Sequence, residues 1–316
     1  MSVRRAVGVD IGGTKIAALR ISSDGGIDAA TVIPTPANDQ DEAFPAIEAA
    51  VSGVLDDSVV GIGVGVAGLV DVGAGVLLVT PNLAWRNLPL AARLGGAFGL
   101  PVTVDNDATA AAWGESRLGA SRGSEDSLFV GVGTGIGGGI VSGGRIVRGA
   151  HGLAGEIGHV IVEPGGPRCG CGNRGCWEQV ASGQAIERAG RRAVAEVPGS
   201  DIARLAAGDP LRVTGELVTE AARAGDEVAV AILADVGRRL GEGVAGLVNV
   251  LDPQIVVIGG GAAEAGDLLL VPLGEAFLAS VEGADVRPEV PVVPAALGND
   301  AGAIGAALLA LEGVAG

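Results

Sequence analysis

Residues 7–21, VGVDIGGTKIAALRI, set two apolar runs on either side of Gly12 and Gly13. Valine and isoleucine favour extended backbone and paired glycines permit a tight reversal, so the stretch predicts a strand, a glycine turn and a second strand. Residues 129–147, FVGVGTGIGGGIVSGGRIV, have the same form. A shift of 123 positions aligns Val7, Gly8 and Val9 with Val130, Gly131 and Val132, and Gly12 with Gly135. A hairpin repeated at this interval predicts two similar α/β halves.

Outward from these hairpins, apolar spacing predicts a helix over 41–55, a buried strand over 59–66, a strand over 101–104 and a helix over 108–117. Helical patterns follow at 183–196, 201–207, 213–224 and 226–248, then a strand at 254–258 and a last helix from about 300 to 311. Strands alternating with helices define an α/β chain. No Pro-rich or Ser-rich linker interrupts it, so a hinge within the fold is expected near Asp107.

The 316 residues carry 21 Lys+Arg against 37 Asp+Glu, a net charge of −16 that argues against a nucleic-acid partner. With 48% hydrophobic residues the chain can bury a sizeable core, and its length suits about two domains. The uncharged stretch 128–144 is broken by repeated glycine, and Asp10 and Lys15 interrupt the first apolar run. Neither a membrane span nor a signal peptide is expected, which predicts a cytoplasmic protein. Cys169, Cys171 and Cys176 are an odd, clustered set, which points to a metal site in a reducing compartment rather than a disulfide framework.

Four constellations carry chemistry. In the first, Asp10, Gly12, Gly13, Thr14 and Lys15 follow a strand. The glycines let backbone N–H groups approach phosphate, Thr14 and Lys15 add donors, and the carboxylate can hold Mg²⁺ through water. Lys15 is the lone lysine among 21 basic residues, a compact point charge suited to phosphate. The second loop, with Gly133, Thr134, Gly135 and Gly137, is almost free of side chains and can meet further phosphates. Each loop could equally be a permissive turn.

The third constellation, Asn106-Asp107, closes a strand: a carboxylate can take a hydroxyl proton while the amide orients the alcohol, although the same pair also suits a helix cap. In the fourth, Glu156-Ile-Gly-His159 precedes Cys169-x-Cys171-x₄-Cys176 and Glu178. Three thiolates and an imidazole form a closed zinc set, with a labile disulfide or free thiols as the alternatives. A closed set leaves no position for metal-bound water, so the metal is expected to fix Glu156, His159 and Glu178 around a polyol. His151 lacks comparable partners and reads as an ordinary loop histidine.

With DIGGTK at 10–15, VGTGIGGG at 132–139, GLAGEIGH at 152–159 and CGCGNRGCWE at 169–178, the chain resembles the ROK family of repressors and sugar kinases, and within it the bacterial ATP-dependent glucokinases. The resemblance implies a two-lobed actin/hexokinase-like (ribonuclease H-like) fold, with duplicated βββαβα lobes and a five-stranded sheet in each around a central cleft. One lobe would be residues 1–107, with a C-terminal helix of about 300–316 packing back on it, and the other residues 108–299 with the zinc loop. Asp107 would be the general base; Asn82, Asn106, Glu156, His159 and Glu178 sugar contacts; and His159, Cys169, Cys171 and Cys176 the ligands of structural Zn²⁺. Gly259 and Gly260 would lie beside the adenosine. ATP with Mg²⁺ would be the donor and glucose the acceptor, with mannose, fructose, N-acetylglucosamine or N-acetylmannosamine as alternatives. A homodimer or homotetramer is implied.

Two readings from other classes remain. A sugar-sensing repressor would need a helix-turn-helix, for which a first strand starting by about residue 5 leaves no room. A nucleotide-dependent switch of the actin or heat-shock type would not need a metal cluster beside a polyol pocket.

Overall fold

The computed structural model describes residues 4–80 and 83–314. Strands β1 (Arg5–Ile11), β2 (Lys15–Ser22) and β3 (Ile27–Pro34), helix α1 (Ala43–Ser52) and strand β4 (Val59–Val66) come first. Three short strands, β5 (Leu69–Asp71), β6 (Val76–Val79) and β7 (Arg86–Leu88), form a small sheet of their own, followed by α2 (Leu90–Phe98), β8 (Val102–Asn106) and α3 (Asp107–Leu118). The first sheet runs β3-β2-β1-β4-β8, an antiparallel meander of three strands with β4 parallel to β1 and β8 parallel to β4. Register places Asp10 opposite Gly65, and Gly65 opposite Asp105, so the carboxyl ends of β1, β4 and β8 meet at one edge.

The second series is β9 (Ser127–Val132), β10 (Ile136–Ser142) and β11 (Arg145–Ile146), then α4 (Glu178–Ala181), α5 (Gly183–Glu196), α6 (Asp201–Leu205), α7 (Gly215–Arg223), α8 (Glu227–Leu251), β12 (Ile255–Gly259), α9 (Asp267–Ser280), β13 (Val292–Pro294) and α10 (Ala301–Gly313). Its sheet order, β11-β10-β9-β12-β13, repeats the first: third, second, first, fourth, fifth. The duplicated α/β halves anticipated from the two hairpins are therefore present. The chain divides into one compact unit of Met1–Phe129, Gly138–Gly155 and Ala295–Gly316, and a second of Val130–Gly137 and Glu156–Pro294. Among the described residues no helix is long and apolar enough to cross a membrane.

Within the first unit, β1 is buried on both faces, which is why its sequence is almost continuously apolar. Val7, Val9 and Ile11 pack with Phe44, Ile47, Trp85 and Leu94, whereas Ala6 joins Trp113, Ile304 and Leu308 on the opposite side. The second face is covered by α10, whose alanines and glycines bring backbone against backbone. A Cβ at Gly63 in β4 would overlap the Ala306 carbonyl, and one at Gly305 would overlap the Ala110 carbonyl in α3. Fully buried Glu115 ties α3 to the segment that leads into α10, accepting from the N–H groups of Ala120 (2.6 Å), Ala296 (3.1 Å) and Leu297 (2.8 Å). Three charge-assisted bonds satisfy a carboxylate that burial alone would strongly destabilise.

The helix expected over 108–117 starts one residue earlier, at Asp107, because Asn106 caps it. The helix expected from 213 starts at Gly215, where the Thr214 hydroxyl accepts the Leu217 N–H. Gly63→Ala should cost about 3 kcal/mol, the upper end of ordinary overpacking, because the new methyl meets main chain that cannot rotate away. A lowered urea midpoint is the expected result, and a wild-type midpoint would show that α10 does not lie this close to β4.

Candidate active site

In the first unit, β1 ends in the turn Gly12–Lys15, closed by the Gly12 N–H donating to the Lys15 carbonyl at 3.0 Å. Thr35 pins this loop from the other side: its hydroxyl donates to the Gly12 carbonyl (2.8 Å) and its N–H to the Thr14 carbonyl (3.0 Å). Thr14 and Lys15 stay exposed at the turn. At the end of β8, the Asn106 Oδ1 accepts the N–H groups of Ala108 (2.9 Å) and Thr109 (3.1 Å), and its amide nitrogen donates to the Gly68 carbonyl (3.2 Å). Asn106 is therefore an N-cap whose amide also hydrogen-bonds the Asp107 carboxylate. Asp107 occupies the first turn of α3, half-buried.

A third carboxylate joins this edge. Asp300, just ahead of α10, acts electrostatically on Asp10, and a Cβ at Gly302 would lie 3.0 Å from the Asp10 carboxyl carbon. Burial, and after it the Asp107 charge, push the Asp10 carboxyl up to about 7; Lys15 opposes the shift and Asp300 adds to it. Burial also raises the Asp107 carboxyl, against hydrogen bonds that favour its ionised form. Asp300 was not singled out from sequence, although Asn299-Asp300 before a small-residue helix mirrors Asn106-Asp107 before α3. Asn82 lies outside the described residues; neighbouring Trp85 is fully buried and donates to the Pro36 carbonyl at 3.2 Å.

In the second unit, Gly133, Thr134 and Gly135 turn β9 into β10, and the Gly183 N–H at the start of α5 donates to the Gly133 carbonyl (2.9 Å). Gly137 lies within β10. Gly259 ends β12, and Gly260 adopts a φ of +83° where a Cβ would strike the backbone of Val132. The glycine loops at 133–135 and 259–260 are thus neighbours. Glu178, first residue of α4, lies against Gly135 where any side chain would displace it.

His159, Cys169, Cys171 and Cys176 place one ligand atom each within 4.8 Å of one another. Cys169 Sγ is 3.6 Å from His159 Nδ1, and Cys171 Sγ is 3.7 Å from Cys176 Sγ. A tetrahedron with metal–sulfur bonds of about 2.3 Å has sulfur–sulfur edges of about 3.8 Å, so the donor set fits a tetrahedral metal ion. The other ring nitrogen, His159 Nε2, stands 3.7 Å from Glu156 Oε2. The Cys169 thiol lies 2.9 Å from Glu178 Oε1. One cluster thereby connects the ligands to both carboxylates that the sequence singled out for a polyol. His151 is exposed and outside it.

Paired glycine loops, a crowded carboxylate edge and a Cys₃His cluster on a duplicated β-meander fold define a protein of the actin/hexokinase-like class. The chain belongs to the ROK family, whose profile matches residues 6–313. A glucokinase of Streptomyces coelicolor is 40% identical over 309 residues, covering 97% of each chain. An N-acetylmannosamine kinase of Escherichia fergusonii is 37% identical over 96% of this chain and 97% of its own. Among solved structures, a ROK family glucokinase from Streptomyces griseus in complex with glucose and AMPPNP has a TM-score of 0.91 at 41% identity, covering 98% of this chain and 99% of that one.

Because the Asp10 carboxyl binds protons more tightly folded than unfolded, its contribution to stability is complete below about pH 4 and is lost as pH rises through about 7. Asp10→Asn removes that slope. Urea unfolding in magnesium-free buffer should show wild type losing more stability than the variant between pH 5 and 7.5; parallel losses would mean that Asp10 titrates normally.

Proposed function

We propose that this protein is an ATP-dependent glucokinase, which transfers the γ-phosphoryl group of ATP to the 6-hydroxyl of D-glucose and yields glucose 6-phosphate and ADP. The observation that carries the reading is the half-buried Asp107 at the end of β8, with its raised proton affinity, in a chain that matches the Streptomyces glucokinases over nearly its full length. Asp107 accepts the 6-hydroxyl proton as that oxygen attacks the γ-phosphorus and the bond to the β-phosphate oxygen breaks, so ADP carries the leaving electron pair.

Asn106, together with Asn82, Glu156, His159 and Glu178, orients the sugar hydroxyls. Backbone N–H groups at 12–15 and 133–137, with Thr14 and Lys15, hold the phosphates, while Gly259 and Gly260 leave room for adenosine. Asp10, crowded by Asp107 and Asp300, offers hard oxygens whose mutual repulsion Mg²⁺ would relieve; with ATP bound, that ion supplies charge neutralisation. In the Cys₃His set we assign structural Zn²⁺, which would hold Glu156 and Glu178 in place by closing an otherwise irregular loop. A cytoplasmic enzyme assembled as a homodimer or homotetramer completes the reading.

The N-acetylmannosamine kinase likeness favours a second reading, a kinase for another hexose such as mannose, fructose, N-acetylglucosamine or N-acetylmannosamine. ADP formation from Mg-ATP across these sugars discriminates: glucose should give the highest kcat/KM and glucose 6-phosphate as product, and preference for an N-acetyl sugar would move the assignment. Asp107→Asn should lower kcat by about 10²-fold to 10⁴-fold, the usual contribution of general base catalysis, with glucose binding retained by calorimetry. Near-wild-type turnover would remove Asp107 from that role. One zinc per chain is expected by elemental analysis, lost in Cys171→Ser together with most activity; full activity without metal would contradict the structural assignment.

A further inference from the structure

A cleft of about 460 Å³ opens within the first unit at the far end of α3 from Asp107. Its lining includes Trp113 and Arg117 of α3, Arg145 and Arg148 at and just beyond β11, and Glu312 of α10. Three guanidinium groups thus converge against the carboxylates of Glu312 and, behind Arg148, Asp105, leaving a local excess of positive charge in a chain whose net charge is −16. Such a local reversal of sign concentrates anions at the cleft.

The three arginines differ in how they are held. Arg148 donates to the Asp105 carboxylate at 2.8 Å through Nε and 2.7 Å through Nη2, with Asp105 buried. The Arg117 guanidinium stacks 3.9 Å above the Trp113 ring and lies 3.4 Å from Glu312. Among the described residues Arg145 has no ion-pair or hydrogen-bond partner for its side chain, and it is exposed at the rim. Trp113 is only 4% exposed, and its indole N–H faces the Glu312 carboxyl, whose ionised form it favours, without reaching the geometry of a full hydrogen bond. A buried donor held in a loose hydrogen bond is only partly satisfied, so a ligand oxygen that accepts from it in better geometry would gain stability.

We propose that this cleft is a second, non-catalytic binding site for a compact phosphate dianion, either inorganic phosphate or a small phosphomonoester. Guanidinium forks match tetrahedral oxyanions through paired N–H donors, and the stacked Arg117 is already oriented by the indole. The volume leaves room for the body of a phosphorylated small molecule. Occupation has a direct route to the candidate active site. Asp105 accepts the Asn106 N–H at 2.9 Å, and Asn106 caps the helix that begins with Asp107. A dianion that shares Arg148 loosens its hold on Asp105 at that strand end.

The test is calorimetric titration with inorganic phosphate at constant ionic strength, with glucose and a non-hydrolysable ATP analogue held at saturation so that the phosphate loops are occupied. Saturable binding is expected, weakened at least tenfold in Arg145→Gln and partly restored in Arg145→Lys, with basal kcat unchanged in both. Repeating the titration with ribose 5-phosphate identifies the source: tighter binding than phosphate assigns a phosphomonoester, and equal or weaker binding assigns the free ion. The proposal is overturned if neither probe saturates, if Arg145→Gln binds like wild type, or if malonate binds where both phosphates do not.

Discussion

Contact between main chains, possible only where side chains are missing, sets the geometry on which the candidate active site depends. Gly63 lets α10 lie directly on β4, and Gly305 lets α10 lie directly on α3. No rotamer adjustment could restore these approaches, since the opposing atoms are carbonyl groups. The consequence is chemical as well as structural. Asp10 closes β1, Asp107 opens α3 and Asp300 precedes α10, so packing these three elements without spacers forces three carboxylates to one edge. Like charges in a dehydrated space hold protons more tightly, which is the property a proton acceptor or a cation site requires.

The second unit solves a different problem. From Glu156 to Trp177 the chain has almost no regular structure beyond a single helical turn at Ile157–His159 and isolated bridges at Ile161–Cys176 and Arg168–Arg174. A loop of this kind buries too little apolar surface to define its own shape. With a metal bound, the Cys₃His set would substitute coordination for packing; its histidine lies three residues after Glu156 and its last cysteine two residues before Glu178. Glu156 and Glu178 are thereby tied to the cluster rather than to a core.

Most of this was legible in the residues themselves. Glycines interrupting strongly β-forming runs marked both hairpins, and the odd cysteine count with a nearby histidine marked the metal set. Other elements left weaker traces. Helix α9 is apolar on nearly every side and contains Pro272, so it shows no periodic stripe and carries a residue that ordinarily ends helices. β3 exposes every second residue, and its Asp-Ala-Ala run is a poor strand signal. By residue type Asn106 suits both capping and binding sugar; in the structure its oxygen caps the helix and its amide serves the Gly68 carbonyl and the Asp107 carboxylate. Asp300 escaped notice because its role exists only once α10 returns to β1, a contact between residues almost three hundred positions apart.

The central claim is that Asp10 and Asp107 form an electrostatically coupled pair held together by this packing. Carbon-detected NMR titration of the aspartate carboxyls in the ligand-free protein measures it directly. The account predicts an Asp10 carboxyl titrating near 7 and an Asp107 carboxyl above the ordinary range, with Asp10 moving down when Asp107 becomes Asn. Two carboxyls titrating near 4, or an Asp10 midpoint unmoved by that substitution, would contradict it.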